Sequence, residues 1–352
     1  MSEQRTGDEL QREQQFAPTP AELAMYGSYT LERPLIIQKP RDVPEDYIAY
    51  NPSSIWTVRE PNGSTRDILY ARVEPSRSDS HSSHLGHARV RPYIINPLSP
   101  LSPLVPYDVA QEFTGEDAAL TRITRKLPLS GKQEEIWLLS YVDARPKVDI
   151  PNEVGTLCTR FWAGTNLAKL EHVADGPEWM KDIRVKNLNG VDSTGLAVYG
   201  RPQTQPQSGN ITYGLLPDIE SLNADSIANL TYIDEKLLPV GSGVWGGVND
   251  VFSVAPYKHI LAAHRAHRSK ESNSLHYEAV LYGHNIATNH IVELGVIAIA
   301  PMFATSVVKD DTTVNLSDVV FTGGGYNGRL EYMTFGVSDG NIGIAALRTI
   351  RR

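Results

Sequence analysis

The chain has 352 residues, of which 41% are hydrophobic and 21% charged, and its formal net charge is -8 at pH 7. This composition is typical of a globular protein with a large core, and the acidic balance argues against a nucleic-acid binder, which would carry a basic stripe. The single cysteine, Cys158, excludes an intrachain disulfide. The first ten residues have no apolar stretch and no run approaches about 18 apolar residues, so we expect a cytoplasmic protein without a secretory signal or membrane span.

The amino-terminal segment is polar and rich in Gln and Glu. We therefore expect residues 1–28 to be flexible or peripheral, and residues 29–352 to form one domain.

Short apolar runs, separated by Gly, Pro and Asn, follow along the rest of the chain and predict β-strands. The clearest runs are residues 68–73, 135–142, 157–162, 195–199, 251–254, 276–282, 319–321 and 330–337. We expect 135–142 to pair with 157–162, 181–188 with 195–200, 251–253 with 260–263, and 319–321 with 332–337. The best helical candidate is 215–237. This texture favours an all-β fold, a five-bladed β-propeller with roughly 64 residues per blade, over the competing pair of β-sandwiches.

Two adjacent carboxylates, Glu116 and Asp117, follow Gly115 and precede a strand-like run. An adjacent acidic pair is one way in which a protein presents a general acid, although a solvated acidic turn is the simpler alternative. Because successive strand residues point to opposite faces, we expect only Asp117 to face a central pocket.

Other polar clusters lie at or beside predicted strand starts. Arg72 and Glu74 share one strand face, either as a structural salt bridge or as part of a site. Trp245, beside two glycines, is either a sugar-stacking surface or a core residue. The remaining binding candidates are Asn51, Lys181, Asp182, Arg184, Arg201, Asn249, Asp250 and His264.

Three histidines, His81, His84 and His87, repeat at a spacing of three on a Ser-rich segment. This spacing on a loop fixes no ligand geometry, so we expect no metal site there. The sequence also lacks a nucleophile elbow, a P-loop, a dinucleotide fingerprint and a His-Glu-x-x-His motif. Brought together on one axis, the polar clusters would instead suit glycoside cleavage, in which one acid protonates the leaving oxygen and one carboxylate activates water.

The order of these motifs resembles glycoside hydrolase family 130. Residues 51–54 are Asn-Pro-Ser-Ser, 69–74 are Leu-Tyr-Ala-Arg-Val-Glu, and 83–89 are Ser-His-Leu-Gly-His-Ala-Arg. Residues 115–117 with 121–123 are similar to the family's Glu-Asp-Pro-Arg signature, 181–182 to its Lys-Asp motif, and 200–202 to its His-Arg-Pro. The whole chain is also similar to a branch of such propellers known as a domain of unknown function, with the same Gly-Glu-Asp, Met-Lys-Asp-Ile-Arg and Trp-Gly-Gly-Val-Asn runs.

The resemblance implies a five-bladed β-propeller that acts on mannosides by inversion, as a phosphorylase or a mannosidase. It implies that Asp117 is the proton donor. It also assigns Asp182, Glu74 and Arg72 to the pocket, and Asp182 and Glu74 are with Asp117 our catalytic candidates. As contacts to phosphate or hydroxyl groups it implies Arg184, Arg201 and His264. Ala118-Ala119 replaces the family's Pro-Arg, and Gly200 replaces its His, so substrate and reaction type stay open.

We therefore expect a carbohydrate-active enzyme, an inverting glycoside hydrolase or glycoside phosphorylase for mannoside-like short glycosides. No cofactor is expected, with inorganic phosphate as co-substrate if the enzyme is a phosphorylase. The expected partner is a small carbohydrate, rather than nucleic acid or membrane. The alternative is a catalytically silent propeller that binds a glycan or a protein partner.

Overall fold

The fold is that of a β-propeller and is almost entirely β-sheet, so the predicted all-β class is confirmed. The computed structural model describes residues 18–60, 62–78, 87–97, 99, 101–127, 129–147, 154–188, 194–204, 209–233, 237–238, 243–269, 274–303, 310–311 and 315–350. Within these residues no helix is long and apolar enough to cross a membrane.

The described strands form five successive groups, here called blades 1 to 5, and most blades have four antiparallel strands. Helix α1 (Pro20–Tyr26) and strand β1 (Ser28–Ile37) come first in the chain. Blade 1 has β2 (Tyr47–Tyr50), β3 (Trp56–Arg59), β4 (Thr65–Pro75), β6 (Arg89–Ile94), β7 (Val105–Pro106) and β8 (Phe113–Thr114), with β5 (Arg77–Ser78) beside it. Blade 2 has β9 (Glu116–Lys126), β10 (Gln133–Pro146), β11 (Val154–Gly164) and β12 (Glu171–Asp175).

Blade 3 has β13 (Met180–Asn187), β14 (Leu196–Pro202), β15 (Thr212–Leu216) and β16 (Thr231–Tyr232), with a 3-10 turn (Ile219–Ser221) and helix α2 (Ala224–Ala228) before its last strand. Blade 4 has β17 (Val244–Ala255), β18 (Lys258–Arg268), β19 (Ser274–Asn285) and β20 (His290–Ala298), followed by a 3-10 turn (Ala300–Met302). After β21 (Asp310–Asp311), which pairs with β5, blade 5 has β22 (Asn315–Tyr326), β23 (Arg329–Val337) and β24 (Asn341–Ile350).

Strand β1 pairs antiparallel with β24 and so completes blade 5 with chain from the amino-terminal side. This pairing closes the ring, because it joins residues from the two ends of the described chain. The apolar core is correspondingly divided into five main clusters, each lying between two successive blades, including blades 5 and 1. Such alternating apolar faces follow from strand periodicity, as in β11, where Leu157, Phe161 and Ala163 are buried.

The structure confirms the strand predictions and corrects the helical one. All four predicted pairings are present in the described strands. The candidate helix 215–237 is wrong, because the described residues of this interval hold the end of β15, the 3-10 turn, the short α2 and the strand β16. The division into a peripheral segment and one domain stays a prediction; within residues 18–28, Tyr26 is buried in the cluster between blades 4 and 5.

Candidate active site

A cavity of about 170 Å³ lies at the end of β2 and the starts of β9 and β13, and residues of blades 4 and 5 complete its lining. Its walls combine carboxylates, cations and aromatic rings, so it can hold a small polar ligand. The polar lining consists of Tyr50, Asn51, Arg72, Glu116, Asp117, Lys181, Arg201, Tyr277 and Asp339, and Phe321 is among the apolar residues.

Three residues at or behind this site, at equivalent points of three successive blades, have a left-handed backbone conformation. The φ angles are +44° at Asn51, +52° at Asp117 and +53° at Asp182. Asn and Asp are the non-glycine residues that tolerate this conformation best, and such strain is concentrated at functional sites. The strand alternation is therefore broken at Asp117, and Glu116 and Asp117 both line the cavity. The expectation that only one of the two would do so is wrong for this reason.

Arg72 joins the carboxylates of two blades. Its Nη2 lies 2.7 Å from Oε2 of Glu74, and its Nη1 lies 2.8 Å from Oε2 of Glu116 and 3.5 Å from Oδ1 of Asp117. Burial alone would lower the pKa of Arg72, but Glu116 and then Glu74 outweigh burial and raise it well above the ordinary value. Arg72 is therefore a fixed cation. Glu74 lies behind it, where the Tyr50 hydroxyl donates to Oε1 of Glu74.

The side chain of Asp117 is held through one of its two oxygens. Asn51 donates from Nδ2 to Oδ1 of Asp117 at 2.9 Å, and the contact with Arg72 reaches the same oxygen. Among the described residues no donor reaches Oδ2. The carboxyl is thus oriented through Oδ1 alone.

Asp182 lies behind the cavity wall and is fully buried between two arginines. Its Oδ2 is 2.6 Å from Nη2 of Arg201, and its Oδ1 is 3.7 Å from Nη2 of Arg184. Burial alone would raise the pKa of Asp182, but Arg201, followed by Arg184, holds it below the ordinary value. Asp182 therefore stays ionised and fixes Arg201.

Arg184 lies beneath the same wall. Its Nε donates to the backbone carbonyl of Asn249 at 3.0 Å, and its Nη2 to that of Asp117 at 3.4 Å. Burial lowers the pKa of Arg184. The guanidinium thus supports the backbone at Asp117 and is not part of the cavity lining.

The imidazole of His264 is buried behind Arg201. Nη1 of Arg201 lies 2.8 Å from Nε2 of His264, and Nδ1 of His264 lies 2.9 Å from Oδ1 of Asn249. Because a guanidinium can only donate, Nε2 must accept, and Nδ1 must carry the proton given to Asn249. Burial, and then Arg201, lowers the pKa of His264 well below its ordinary value, so the ring is neutral.

Lys181 is a further cation of the cavity, and its charge is one of those that hold the pKa of Asp182 below the ordinary value. The side chain is half-buried and forms no direct ion pair with any of the residues described in the structure. A half-buried ammonium that is not directly paired favours an anionic ligand beside it.

The predicted site residues fall into three groups. Asn51, Arg72, Glu116, Asp117, Lys181 and Arg201 line the cavity. Glu74, Asp182, Arg184, Asn249 and His264 lie behind it and bond the lining residues or their backbone. Trp245 and Asp250 form the third group, which does not line the cavity.

Trp245 and Asp250 do not line the cavity, although Trp245 contacts Tyr277, which does. The ring of Trp245 packs edge-on against Tyr277 at 5.9 Å, with its Nε1 3.2 Å from the Tyr277 hydroxyl. Asp250 accepts through Oδ2 from the Ser54 hydroxyl at 2.7 Å and from the backbone of Gly325 at 3.0 Å. The sugar-stacking interpretation of Trp245 therefore has no support from its position.

Sequence reasoning missed Asp339 and Tyr277. Asp339 follows Ser338 in the tight turn between β23 and β24, and both have positive φ, 45° and 54°. The Ser-Asp-Gly run at 338–340 is a turn signal that could have pointed to this position. Tyr277 carries no such signal, because it is one of several aromatic residues in a strand.

The described residues contain no group of three His, Cys, Asp or Glu placed to hold a metal ion. Of the three histidines at spacing three, His81 and His84 lie outside the described residues.

Residues 134–345 match the model of a family described as "Protein of unknown function (DUF1861)". No curated protein sequence matches the chain.

Several solved structures share the fold. MPT-4 from Leishmania mexicana, a mannose phosphorylase in complex with phosphate ion, is 20% identical, with 97% of this chain and 94% of that chain covered and a TM-score of 0.71. MPT-1 from Leishmania mexicana, a GDP-Man-dependent mannosyltransferase, is 18% identical, with 91% and 89% covered and a TM-score of 0.69. A hypothetical protein from Leishmania major is 19% identical, with 90% and 89% covered and a TM-score of 0.67. At these identities the similarity establishes the fold alone.

Proposed function

The chain belongs to the DUF1861 family, and from its site we propose that it is a carbohydrate-active enzyme, an inverting glycoside phosphorylase for mannoside-like short glycosides. One observation carries the proposal. A single cavity holds an oriented carboxyl, Asp117, together with three cations, Arg72, Lys181 and Arg201, of which Lys181 forms no ion pair with the described residues.

In this reaction Asp117 is the general acid. Its Oδ2 donates a proton to the glycosidic oxygen as the bond from that oxygen to the anomeric carbon breaks. An oxygen of inorganic phosphate attacks the anomeric carbon from the opposite face, so that a sugar phosphate of inverted configuration is formed. Asn51 keeps Oδ1 occupied and so leaves Oδ2 toward the substrate.

Phosphate needs cations, because its charge must leave water as it enters the cavity. Lys181 supplies a point charge, and Arg201, held by Asp182 and His264, supplies a guanidinium of fixed orientation. Charge-assisted hydrogen bonds of this kind are among the strongest in proteins. The description of MPT-4 as a mannose phosphorylase in complex with phosphate ion agrees with this choice of co-substrate.

An inverting hydrolase is the second candidate, because a further carboxylate lines the cavity. Asp339 would then activate water opposite the proton donor Asp117, as inverting glycosidases require of their second carboxylate. The two reactions differ in the nucleophile and share the general acid.

The test is a screen of aryl-glycosides and mannobioses with and without phosphate. Turnover that requires phosphate, and a Lys181→Met variant whose KM for phosphate rises far more than its KM for the glycoside, would support the phosphorylase. Lys132→Met, at an exposed lysine, is the matched control. Full turnover without phosphate would identify a hydrolase, and saturable sugar binding without turnover would identify a silent binding propeller.

A further inference from the structure

A larger groove adjoins the cavity between blades 1 and 2. Its volume is about 450 Å³, compared with about 170 Å³ for the cavity. Glu116 and Ala144 line both spaces, so the groove begins at the cavity wall. The cavity is smaller than most ligand pockets, which hold about 300–1,000 Å³, and therefore suits a single small unit of a longer ligand.

Aromatic rings form one wall of the groove. Trp162 is half-buried, and its ring centroid lies 5.1 Å from that of Phe113, which in turn lies 5.2 Å from that of Tyr141. These contacts fix the three rings against one another. A rigid aromatic surface is the usual contact for the C–H face of a sugar ring.

Gly115 lets this wall reach the acidic pair. Its φ is +155°, and a Cβ at this position would clash with the ring of Tyr141 and the carbonyl of Val142. The glycine of the Gly-Glu-Asp run therefore allows Tyr141 to lie directly beside the segment that carries Glu116. The groove therefore lies against the wall of the cavity that carries Glu116.

Hydrogen-bonding groups form the other wall. Nη2 of Arg145 and Nε of Arg160 lie 2.8 Å and 2.6 Å from the same oxygen, Oδ2 of Asp143. No donor among the described residues reaches Oδ1 of Asp143, and both guanidinium groups keep further N–H donors. These groups can therefore donate to, and accept from, vicinal hydroxyls.

We propose that this groove is the subsite for a second, neutral glycosyl unit of the substrate, with Trp162 as its stacking surface. The inference rests on the proposed function, because it places the sugar beyond the bond that Asp117 would protonate. A sugar residue matches both walls, since one of its faces is apolar and its edge carries hydroxyls. A neutral residue fits better than an acidic one, because the groove lining carries three carboxylates, Glu112, Glu116 and Asp143, beside the two arginines.

The test is calorimetric titration of the full chain with mannose, with mannobioses and mannotrioses of several linkages, and with the matching glucose oligosaccharides. In the wild type we expect the best disaccharide to bind at least tenfold more tightly than the monosaccharide. Trp162→Phe should reduce this gain modestly, and Trp162→Ala by roughly five- to tenfold, the range expected for an aromatic contact. Arg145→Ala tests the polar wall without changing the core, since the Arg145 side chain is 60% exposed.

Trp245→Phe is the comparison variant, and the melting temperature of each variant confirms folding. The proposal is overturned if chain length gives no gain in the wild type, if no oligosaccharide binds, if both Trp162→Ala and Arg145→Ala keep the full gain, or if Trp245→Phe removes it instead. Because the titration measures binding and not turnover, a failure of the proposed reaction can be distinguished from a failure of the proposed subsite. A length-dependent gain in a protein that cleaves nothing, with or without phosphate, would refute the enzyme and retain the subsite.

Discussion

Nη1 of Arg201 donates to Nε2 of His264 at 2.8 Å, and this bond fixes both the tautomer of the imidazole and the direction of the guanidinium. The ring is further held by stacking on Tyr277 and Phe321, with centroid distances of 5.4 Å and 4.7 Å. In the proposed reaction His264 is thus a positioning residue that would act on the ligand through Arg201. The sequence had suggested a direct contact of His264 with phosphate or hydroxyl groups.

Removal of this support should weaken phosphate binding in particular. For His264→Ala we expect the KM for phosphate to rise roughly tenfold or more, because a hydrogen bond to a charged group contributes about 1.5–3 kcal/mol. The KM for the glycoside should change much less. His264→Gln, whose amide oxygen can still accept from Arg201, should recover part of the loss.

The control for this variant is His290→Ala, at an exposed histidine of blade 4 that is paired with Glu22. Because the pKa of His264 lies well below its ordinary value, the wild-type KM for phosphate should show no titration of this group near neutral pH. Equal changes in both KM values would show that His264 supports the whole site and not Arg201 in particular.

Asp117→Asn should abolish catalysis and keep the site folded. The amide still accepts from Asn51 through its oxygen but has no proton to donate to a leaving group. We expect kcat to fall by about 10²–10⁴-fold, the usual contribution of a general acid, with sugar affinity retained. Steady-state kinetics and calorimetry measure the two effects, and Asp225→Asn, at an exposed position of helix α2, is the matched control. A fall in affinity as large as the fall in kcat would contradict the role of proton donor.

The strands were predictable because each is a local pattern. Residues 157–162 alternate in burial and lie within β11, paired with β10 as expected. The closure of the ring was not predictable in the same way, since β1 and β24 pair although they lie at opposite ends of the described chain. Local periodicity carries no information about such a distant pairing.

The site was predictable in its residues and less so in their orientation. The acidic pair, Arg72 and Lys181 do meet in one cavity. The predicted side-chain direction was wrong at the acidic pair, because the left-handed conformation of Asp117 breaks the strand alternation. The position of the Trp245 ring was not predictable either, because it packs on Tyr277 in a different strand. Asp339 escaped notice because a turn has no periodicity.

Arg72→Met should strongly destabilise the fold. Arg72 is buried and contacts Glu74, Glu116 and Asp117, so its removal leaves three carboxylates close together without a cation. Breaking a buried ion pair from one side costs about 3–5 kcal/mol, and we expect a loss in that range in the free energy of unfolding measured with urea.

The matched control is Arg348→Met, which removes a surface pair with Glu32 from a side chain that is 73% exposed. Its effect should stay within about 0.5 kcal/mol. If the two variants lost similar amounts, the cluster around Arg72 would contribute no more than a surface ion pair.

Two buried histidines between blades 3 and 4 should make the stability depend on pH. In both His259 and His284, Nδ1 lies 3.0 Å from the Tyr199 hydroxyl. Burial lowers the pKa of His259 to about 4, with a smaller contribution from Lys186, and the pKa of His284 to about 3. Both are lowered from 6.5, so the unfolded chain binds protons first as the pH falls. The stabilisation is complete above about pH 6.5 and is lost progressively as the pH falls toward the folded values, with a slope of about 1.4 kcal/mol per pH unit for each histidine. The free energy of unfolding measured with urea between about pH 4.5 and 6.5 should show this slope in the wild type. The slope should be clearly smaller in a His259→Gln/His284→Gln double variant. The control is His87→Gln, at an exposed histidine, which should keep the wild-type slope. An unchanged slope in the double variant would mean that other groups, such as the buried carboxylates around Arg72, determine the acid sensitivity.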